Sequence, residues 1–257
     1  MSIVLDEYSW AEQAIQNRSL GNSPLETLSR VSKYYASQKY SRKEIRHMLD
    51  IFLAQCDPRA SLVQWSETLD RIAKNSDKYP LVRIEKIDIT MDETAKIKSL
   101  KGKQLRRLAF TLLCLAKYWD SVSEKNNHWV NTSDKEIMKM ANINTSIVRQ
   151  SEMFAELRDA GFIRFSKKID NLNVQVLFMD EIRVPTALSV RDFRNLGYQY
   201  MMYCGEHYFS CENCGLVTKI NDPKKGRKQK YCKSCASEKY LQQRLEWMSR
   251  YRESIKS

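Results

Sequence analysis

Two cysteine pairs, Cys211-Glu-Asn-Cys214 and Cys232-Lys-Ser-Cys235, constrain this chain more than any other feature. Two thiolates separated by two residues grip one metal ion from a tight knuckle, and a second pair closes a tetrahedral shell of the kind that suits Zn²⁺. Four sulfurs leave zinc no open coordination position. The spacing therefore predicts one structural zinc on Cys211, Cys214, Cys232 and Cys235, in a module that binds rather than catalyses. The alternatives are chance pairing or a redox couple. A redox motif expects one pair beside a strand–helix unit, not two matched pairs.

The segment between the pairs reads as a hairpin: residues 216–220, a turn at Asn221-Asp222-Pro223, and a return into Tyr231. After Cys235, Ala236, Tyr240, Leu241, Leu245 and Met248 recur at helical spacing. Knuckle, hairpin and a helix carrying the last two ligands is the layout of a treble-clef finger. Residues 211–257 hold twelve Lys or Arg against five Asp or Glu, and five of the positive charges fall in Lys224-Lys225-Gly226-Arg227-Lys228-Gln229-Lys230. Arg244, Arg250 and Arg252 extend the field along the helix. One Zn²⁺ on four thiolates withdraws about two charges and leaves the module basic. A short basic loop tied down by a metal makes a phosphate clamp, because its ordering cost is met in folding. The plainer reading is a solvated loop. Tyr240, Trp247 and Tyr251 are suited either to stacking on bases or to packing so small a module. Cys204 and His207, just before the first pair, read as structural rather than as further ligands. The aromatic-rich residues 193–203 are expected to pack the finger onto the preceding domain.

The chain of 257 residues is 42% apolar, enough for one to two packed domains beside the small module. Its 43 basic and 31 acidic residues leave a net charge of +12, which points to phosphate-bearing partners. No apolar run approaches the ~20 residues that span a bilayer. The start, Met1 to Glu7, lacks the basic and apolar regions of a signal peptide. Cys56, Cys114 and Cys204 show no pairing pattern, and Cys56 and Cys114 sit in apolar helical contexts as core residues. These features predict a reducing, cytoplasmic location.

Seven glycines, five prolines and few β-branched clusters predict a mainly α fold. An N-terminal helical region is expected over 1–100. Ser23-Pro24 opens one helix, the capping box Ser41-Arg42-Lys43-Glu44 opens another, and Asp57-Pro58 starts a third. Residues 81–89 alternate in part as a short strand, and Thr90-Met91-Asp92-Glu93 caps a further helix. The helix over about 103–121 is apolar on several sides and is the candidate core spine. A domain is expected over 101–182, a linking and packing segment over 183–210, and the cysteine finger over 211–257.

Within 101–182, Ser133-Asp134-Lys135-Glu136 is a capping box for a short helix, broken at Ala141-Asn142-Ile143-Asn144. A second helix runs from Thr145 to about Ala160, with Ile147, Val148, Met153, Phe154 and Leu157 facing inward and Gly161 ending it. Alternating runs at 162–167 and 174–178 flank a turn-rich loop. Helix, short helix, turn, helix, β-hairpin is the order of a winged helix-turn-helix, and the chain resembles that superfamily over roughly a third of its length, with "DAGFI" leading into the hairpin. The resemblance implies that the helix after the turn enters the major groove and that the hairpin tip touches backbone or minor groove. Carried onto this chain, Asn144, Thr145, Ser146, Arg149 and Gln150 face the bases and phosphates, and Arg164, Lys167, Lys168, Asn171 and Asn173 form the wing. Arg pairs bidentately with guanine, Asn or Gln with adenine, and Thr and Ser contact phosphate. Glu152 and Glu156 on the same helix would repel phosphate.

The strings "RLAFTLLCLAKYW", "LGYQYMMYCGEHYFSCENCG" and "KYCKSCA" are together similar to winged-helix proteins with a terminal cysteine finger carried by phages and integrated elements of Gram-positive bacteria. That resemblance implies a DNA-binding role in transcription regulation or replication initiation of a mobile element, with double-stranded DNA as the partner. Two other readings remain open: an adaptor docking a host polymerase or replication protein, and an RNA- or single-strand-binding protein. Enzyme signatures are lacking. Lys101-Gly102-Lys103 is too short for a nucleotide-binding glycine loop, His47, His128 and His207 form no metallohydrolase pattern, and no serine elbow occurs.

Overall fold

The computed structural model describes residues 3–167, 173–180, 185–221 and 229–256, the side chains of the last four excepted. The chain is mixed, with helices dominant and small antiparallel sheets between them. It divides into two compact units, Met1–Lys86 and Ile87–Ser257. No helix among the described residues is long and apolar enough to cross a membrane.

The first unit holds four helices, α1 (Glu7–Gln16), α2 (Pro24–Ser37), α3 (Arg42–Cys56) and α4 (Leu62–Lys74). The Ser41–Glu44 capping box forms on α3 as its spacing predicts. Asp57-Pro58 does not start α4. Asp57 instead closes α3, with its N–H on Leu53 O, and α4 begins after Ser61, whose hydroxyl accepts from Gln64 N. Leu28, Val31, Ile45, Leu49, Phe52, Leu53 and Leu69 form the core, with Cys56 packed partly buried at its edge. Arg30 is buried in an ion pair with Glu7 (3.0 Å) whose other oxygen accepts from Val82 N (3.0 Å). A charge this deep is tolerated because its partner and the remaining lone pairs are satisfied.

The 81–89 strand expectation needs correcting. Arg83 makes a single bridge to Asp6, and only β1 (Ile87–Thr90) is a strand, antiparallel to β5 (Thr186–Val190). An isolated alternating run cannot form a ladder without a partner, and that partner lies a hundred residues away.

In the second unit, β1 runs into α5 (Met91–Ser99) through the Thr90–Glu93 capping box. α6 (Lys103–Val122) follows, buried around most of its circumference from Leu105 to Tyr118, as expected of the core spine. Next come β2 (Trp129–Val130), α7 (Asp134–Met140), α8 (Ile147–Asp159), β3 (Ile163–Phe165) and β4 (Val174–Val176), with β2, β4 and β3 in one antiparallel sheet in that order. Ser133 precedes α7, but its hydroxyl bonds Glu136 rather than a backbone N–H. Gly161 follows α8 at φ +75°, the left-handed ending that favours glycine. Ile147 and Val148 do not face inward: they are 81% and 68% exposed, while Met153, Phe154 and Leu157 hold the buried face. The chain then passes through β5 and α9 (Leu196–Tyr203) to β6 (Tyr208–Ser210), β7 (Val217–Lys219) and α10 (Lys233–Lys256).

A buried polar knot ties β1, α5 and α6. Glu93, fully buried, pairs with Lys117 (2.9 Å) and accepts from Asp180 N (3.0 Å), while Asp180 pairs with Lys96 (2.7 Å) and accepts from the Thr90 hydroxyl (2.7 Å). Burial pushes the Asp180 carboxyl up, but the Lys96 and Thr90 bonds outweigh it and hold the group below the usual carboxylate range. A depressed folded pKa contributes stability above the unfolded value near ~3.9, and that stability is lost as pH falls through the folded pKa. Wild type is therefore expected to lose urea resistance below about pH 4 more steeply than Asp180→Asn. Identical pH profiles for the two would show that ionisation of Asp180 contributes nothing to stability.

Candidate metal centre and nucleic-acid face

Cys211 directly follows β6, and the chain turns over 211–215 towards β7. Gly215 takes φ +70°, Gly215 N–H donates to Cys211 O (2.9 Å), and Cys211 N–H donates to Leu216 O (3.0 Å). The knuckle is thus the turn of the β6–β7 hairpin. Residues 217–219 pair with 208–210, and most of the return segment of the expected hairpin lies outside the described residues. The turn at Asp222-Pro223 lies outside the described residues. Cys232 directly precedes α10 and Cys235 lies in its first turn, where Ala236 N–H donates to Cys232 O (2.9 Å).

The four Sγ atoms lie within 4.8 Å of one another, with Cys214 and Cys232 3.8 Å apart. A tetrahedron of ~2.3 Å zinc–sulfur bonds has edges of about 3.8 Å, so one ion fits among them. Asn213 Nδ2 donates to Cys235 Sγ (3.4 Å). Burial opposes ionisation of Cys211, but backbone N–H groups of Cys232, Cys214 and Asn213 outweigh it and draw the thiol down to about 6. Burial raises Cys214 to about 12, reinforced by its sulfur neighbours. The described cluster could hold a metal ion and is compatible with one structural zinc.

The centre is anchored to the rest of its unit by residues that the sequence reading missed. Arg194, paired with Asp192 (2.6 Å), donates to Cys214 O (2.8 Å). Asn195 Nδ2 donates to Val217 O (2.9 Å), and its Oδ1 accepts from Asn142 Nδ2 (2.9 Å). Asn142 Oδ1 in turn accepts from Tyr198 N–H (3.1 Å). Asn142 and Asn195 both take left-handed backbone angles, φ +56° and +55°. Asparagine tolerates that region better than most residues, which was the available signal. The clasp joins the α7–α8 turn, the start of α9 and the metal hairpin. Phe110 against Tyr200 (5.1 Å) and Tyr118 against Phe193 (5.6 Å) bind this segment to α6, so 193–203 does pack as expected, with α9 as its helical part.

The nucleic-acid candidates fall on three elements. At the start of α8, Asn144 and Ser146 are exposed, and Ser146 caps the helix through Arg149 N. Thr145 is half-buried, and its carbonyl accepts from Gln150 Nε2 (2.9 Å). Arg149 is exposed but already paired with Glu152 (3.0 Å) and Glu156 (2.6 Å). On β3, Arg164 bonds Gln175 across the ladder, and Lys167 beyond it is exposed. Asn173 donates to Asn131 Oδ1 (2.5 Å). Lys168 and Asn171 lie outside the described residues, as do Lys224, Lys225, Arg227 and Lys228. On the metal module, Lys230 is exposed 3.4 Å from Glu212, and Arg244 is exposed on α10.

That helix presents its aromatic residues rather than packing them. Tyr240, Leu241, Leu245, Trp247 and Tyr251 are all exposed, and the Trp247 and Tyr251 rings stack at 5.5 Å. The module is too small to cover a helix of this length. Cys204 is exposed after α9, and Cys114 is fully buried, where burial pushes its thiol strongly up. No family model matches this chain, and no curated protein or solved structure matches it either.

Proposed function

We propose that this chain is a DNA-binding protein in which a winged helix reads duplex DNA and a treble-clef zinc finger adds grip on phosphate. The role that fits the resemblance is transcription regulation or replication initiation for a phage or mobile element. The observation that carries the reading is the α7–turn–α8 pair. α8 buries Met153, Phe154 and Leu157 and leaves its start exposed, and the β3–β4 hairpin follows directly with β2 as a third strand. Exposed Ile147 and Val148 add apolar contacts of the kind that thymine methyl groups accept. Arg149 reaches a base only by giving up Glu152 and Glu156, two exposed pairings worth little each.

The test is selection from a random duplex library with the zinc-loaded protein at physiological salt. A reproducible motif is expected, with affinity falling by about 0.9 log units per phosphate contact for each tenfold rise in salt. Arg149→Ala is expected to relax the motif. Glutamine at Lys224, Lys225, Arg227 and Lys228 is expected to weaken all sequences alike, by tenfold or more, and to flatten the salt slope by up to about 3.6. Equal effects of both variants on every sequence would end the division of labour, and no enrichment at all would end the sequence-reading role. A second reading, an adaptor docking a host replication or transcription protein, is favoured by the exposed aromatic face of α10. It predicts a stoichiometric protein partner retained after nuclease treatment and lost on Leu245→Asp.

A further inference from the structure

A cavity of about 410 Å³ opens between the start of α6 and the metal hairpin, and three cationic side chains line it. Lys103 and Arg107 come from consecutive turns of α6, Lys219 from β7, and His207 and Tyr208 from the approach to β6. Met201 of α9 supplies an apolar patch of the lining. The α6 residues lie about a hundred positions from the others in sequence, and the packing of α9 against α6 brings them to one wall.

Two features separate this cavity from an ordinary basic surface. The first is Arg107 Nε, which is buried and has no hydrogen-bond partner among the described residues. A guanidinium donor withdrawn from water and left unpaired costs more than a typical hydrogen bond returns, so it calls for an acceptor. The second is Glu206. Its carboxylate holds Lys103 at 2.6 Å, and that bond keeps the Glu206 carboxyl below the usual range. Glu206 also cancels one positive charge, leaving Lys103, Arg107 and Lys219 with an excess of two.

We propose that this cavity binds a phosphate group. A phosphate dianion matches the excess charge, offers acceptor oxygens to the Arg107 guanidinium, and suits its planar fork backed by flexible lysines. Arg107 is the anchor because it is the least exposed of the three cations, and Lys219 is an exposed one. The phosphate comes either from the backbone of a bound nucleic acid or from a free phosphorylated small molecule; the cavity volume falls in the range of small-ligand sites. The site does not depend on the winged-helix reading.

The experiment is calorimetric titration of the full-length, zinc-loaded protein with inorganic phosphate and with pyrophosphate, repeated on Arg107→Gln, Lys219→Gln and the α10 control Lys233→Gln. Saturable binding is expected, tenfold or more weaker in the first two variants and unchanged in the control. Lys219 is exposed on a strand surface, so its variant keeps the test valid if Arg107→Gln fails to fold, as judged by zinc content and thermal unfolding. No saturable binding of either anion, or binding indifferent to both substitutions, overturns the site. A competition arm assigns the source. Displacement of a bound duplex by pyrophosphate places the nucleic-acid backbone in the cavity, and simultaneous binding assigns it to a small phosphorylated ligand. Pyrophosphate binding by a protein that binds no duplex would leave this site standing and sink the DNA reading.

Discussion

Cys214→Ser or Cys232→Ser is expected to release the metal and unfold residues 211–257 while the α6 core stays folded. The reason is the composition of the finger's interior. Its buried cluster is Cys211, Cys232 and Cys235, with Cys214, Leu216 and Tyr231 packed around them. Without a bound ion, few buried apolar side chains among the described residues would hold the hairpin against the helix. Structural zinc supplies ~10–16 kcal/mol in isolated fingers, far beyond what so few side chains provide. The measurement is zinc content by mass spectrometry together with limited proteolysis. A tail as protease-resistant as wild type in either variant would show that the metal does not hold it. Acid acts in the same direction, because thiolates bind the ion and thiols do not.

Gly197→Ala is expected to cost about 3 kcal/mol, even though alanine is the better helix former. Gly197 lies in the first turn of α9, where helix propensity alone would favour alanine by about 1 kcal/mol. The added Cβ would stand 2.0 Å from Ala141 O and 2.6 Å from its carbonyl carbon. Both are backbone atoms at the end of α7, so relief requires separating α9 from the α7–α8 turn. That movement breaks the Asn142–Asn195 clasp and the Asn195 bond to Val217 O that aligns the metal hairpin. Urea denaturation of the zinc-loaded protein measures the loss, and a stability equal to or above wild type would show that helix propensity wins and that the approach is loose.

Features legible in the sequence were those whose partners lie within a few residues. The Ser41–Glu44 and Thr90–Glu93 capping boxes close over three residues and formed as read. Gly161 ended α8 as a left-handed glycine does. The cysteine spacing pointed to a shell that the fold assembles. The pairing of Arg149 with Glu152 and Glu156 was within reach of the same logic, since both acids share its helix. The strands were not legible in this way. β2 has two residues and β6 three, too few for a period to show, and β1 finds β5 about a hundred residues on. The inward reading of Ile147 and Val148 treated apolar character as burial, yet the first turn of a helix is covered only if a neighbouring element reaches it.

By itself the sequence determined the four-sulfur shell, the apolar spine of α6 and the local caps, because each rests on spacing along one stretch of chain. The tertiary structure decided which strand closes the knuckle, which apolar side chains stay in water, and how Asn142, Asn195 and Gly197 lock the metal hairpin to the α7–α8 turn. It also decided that Lys103, Arg107 and Lys219 share one cavity. The physical reason is that spacing specifies bonds closed within a turn or a knuckle, whereas burial and pairing depend on partners that only the packed chain brings together.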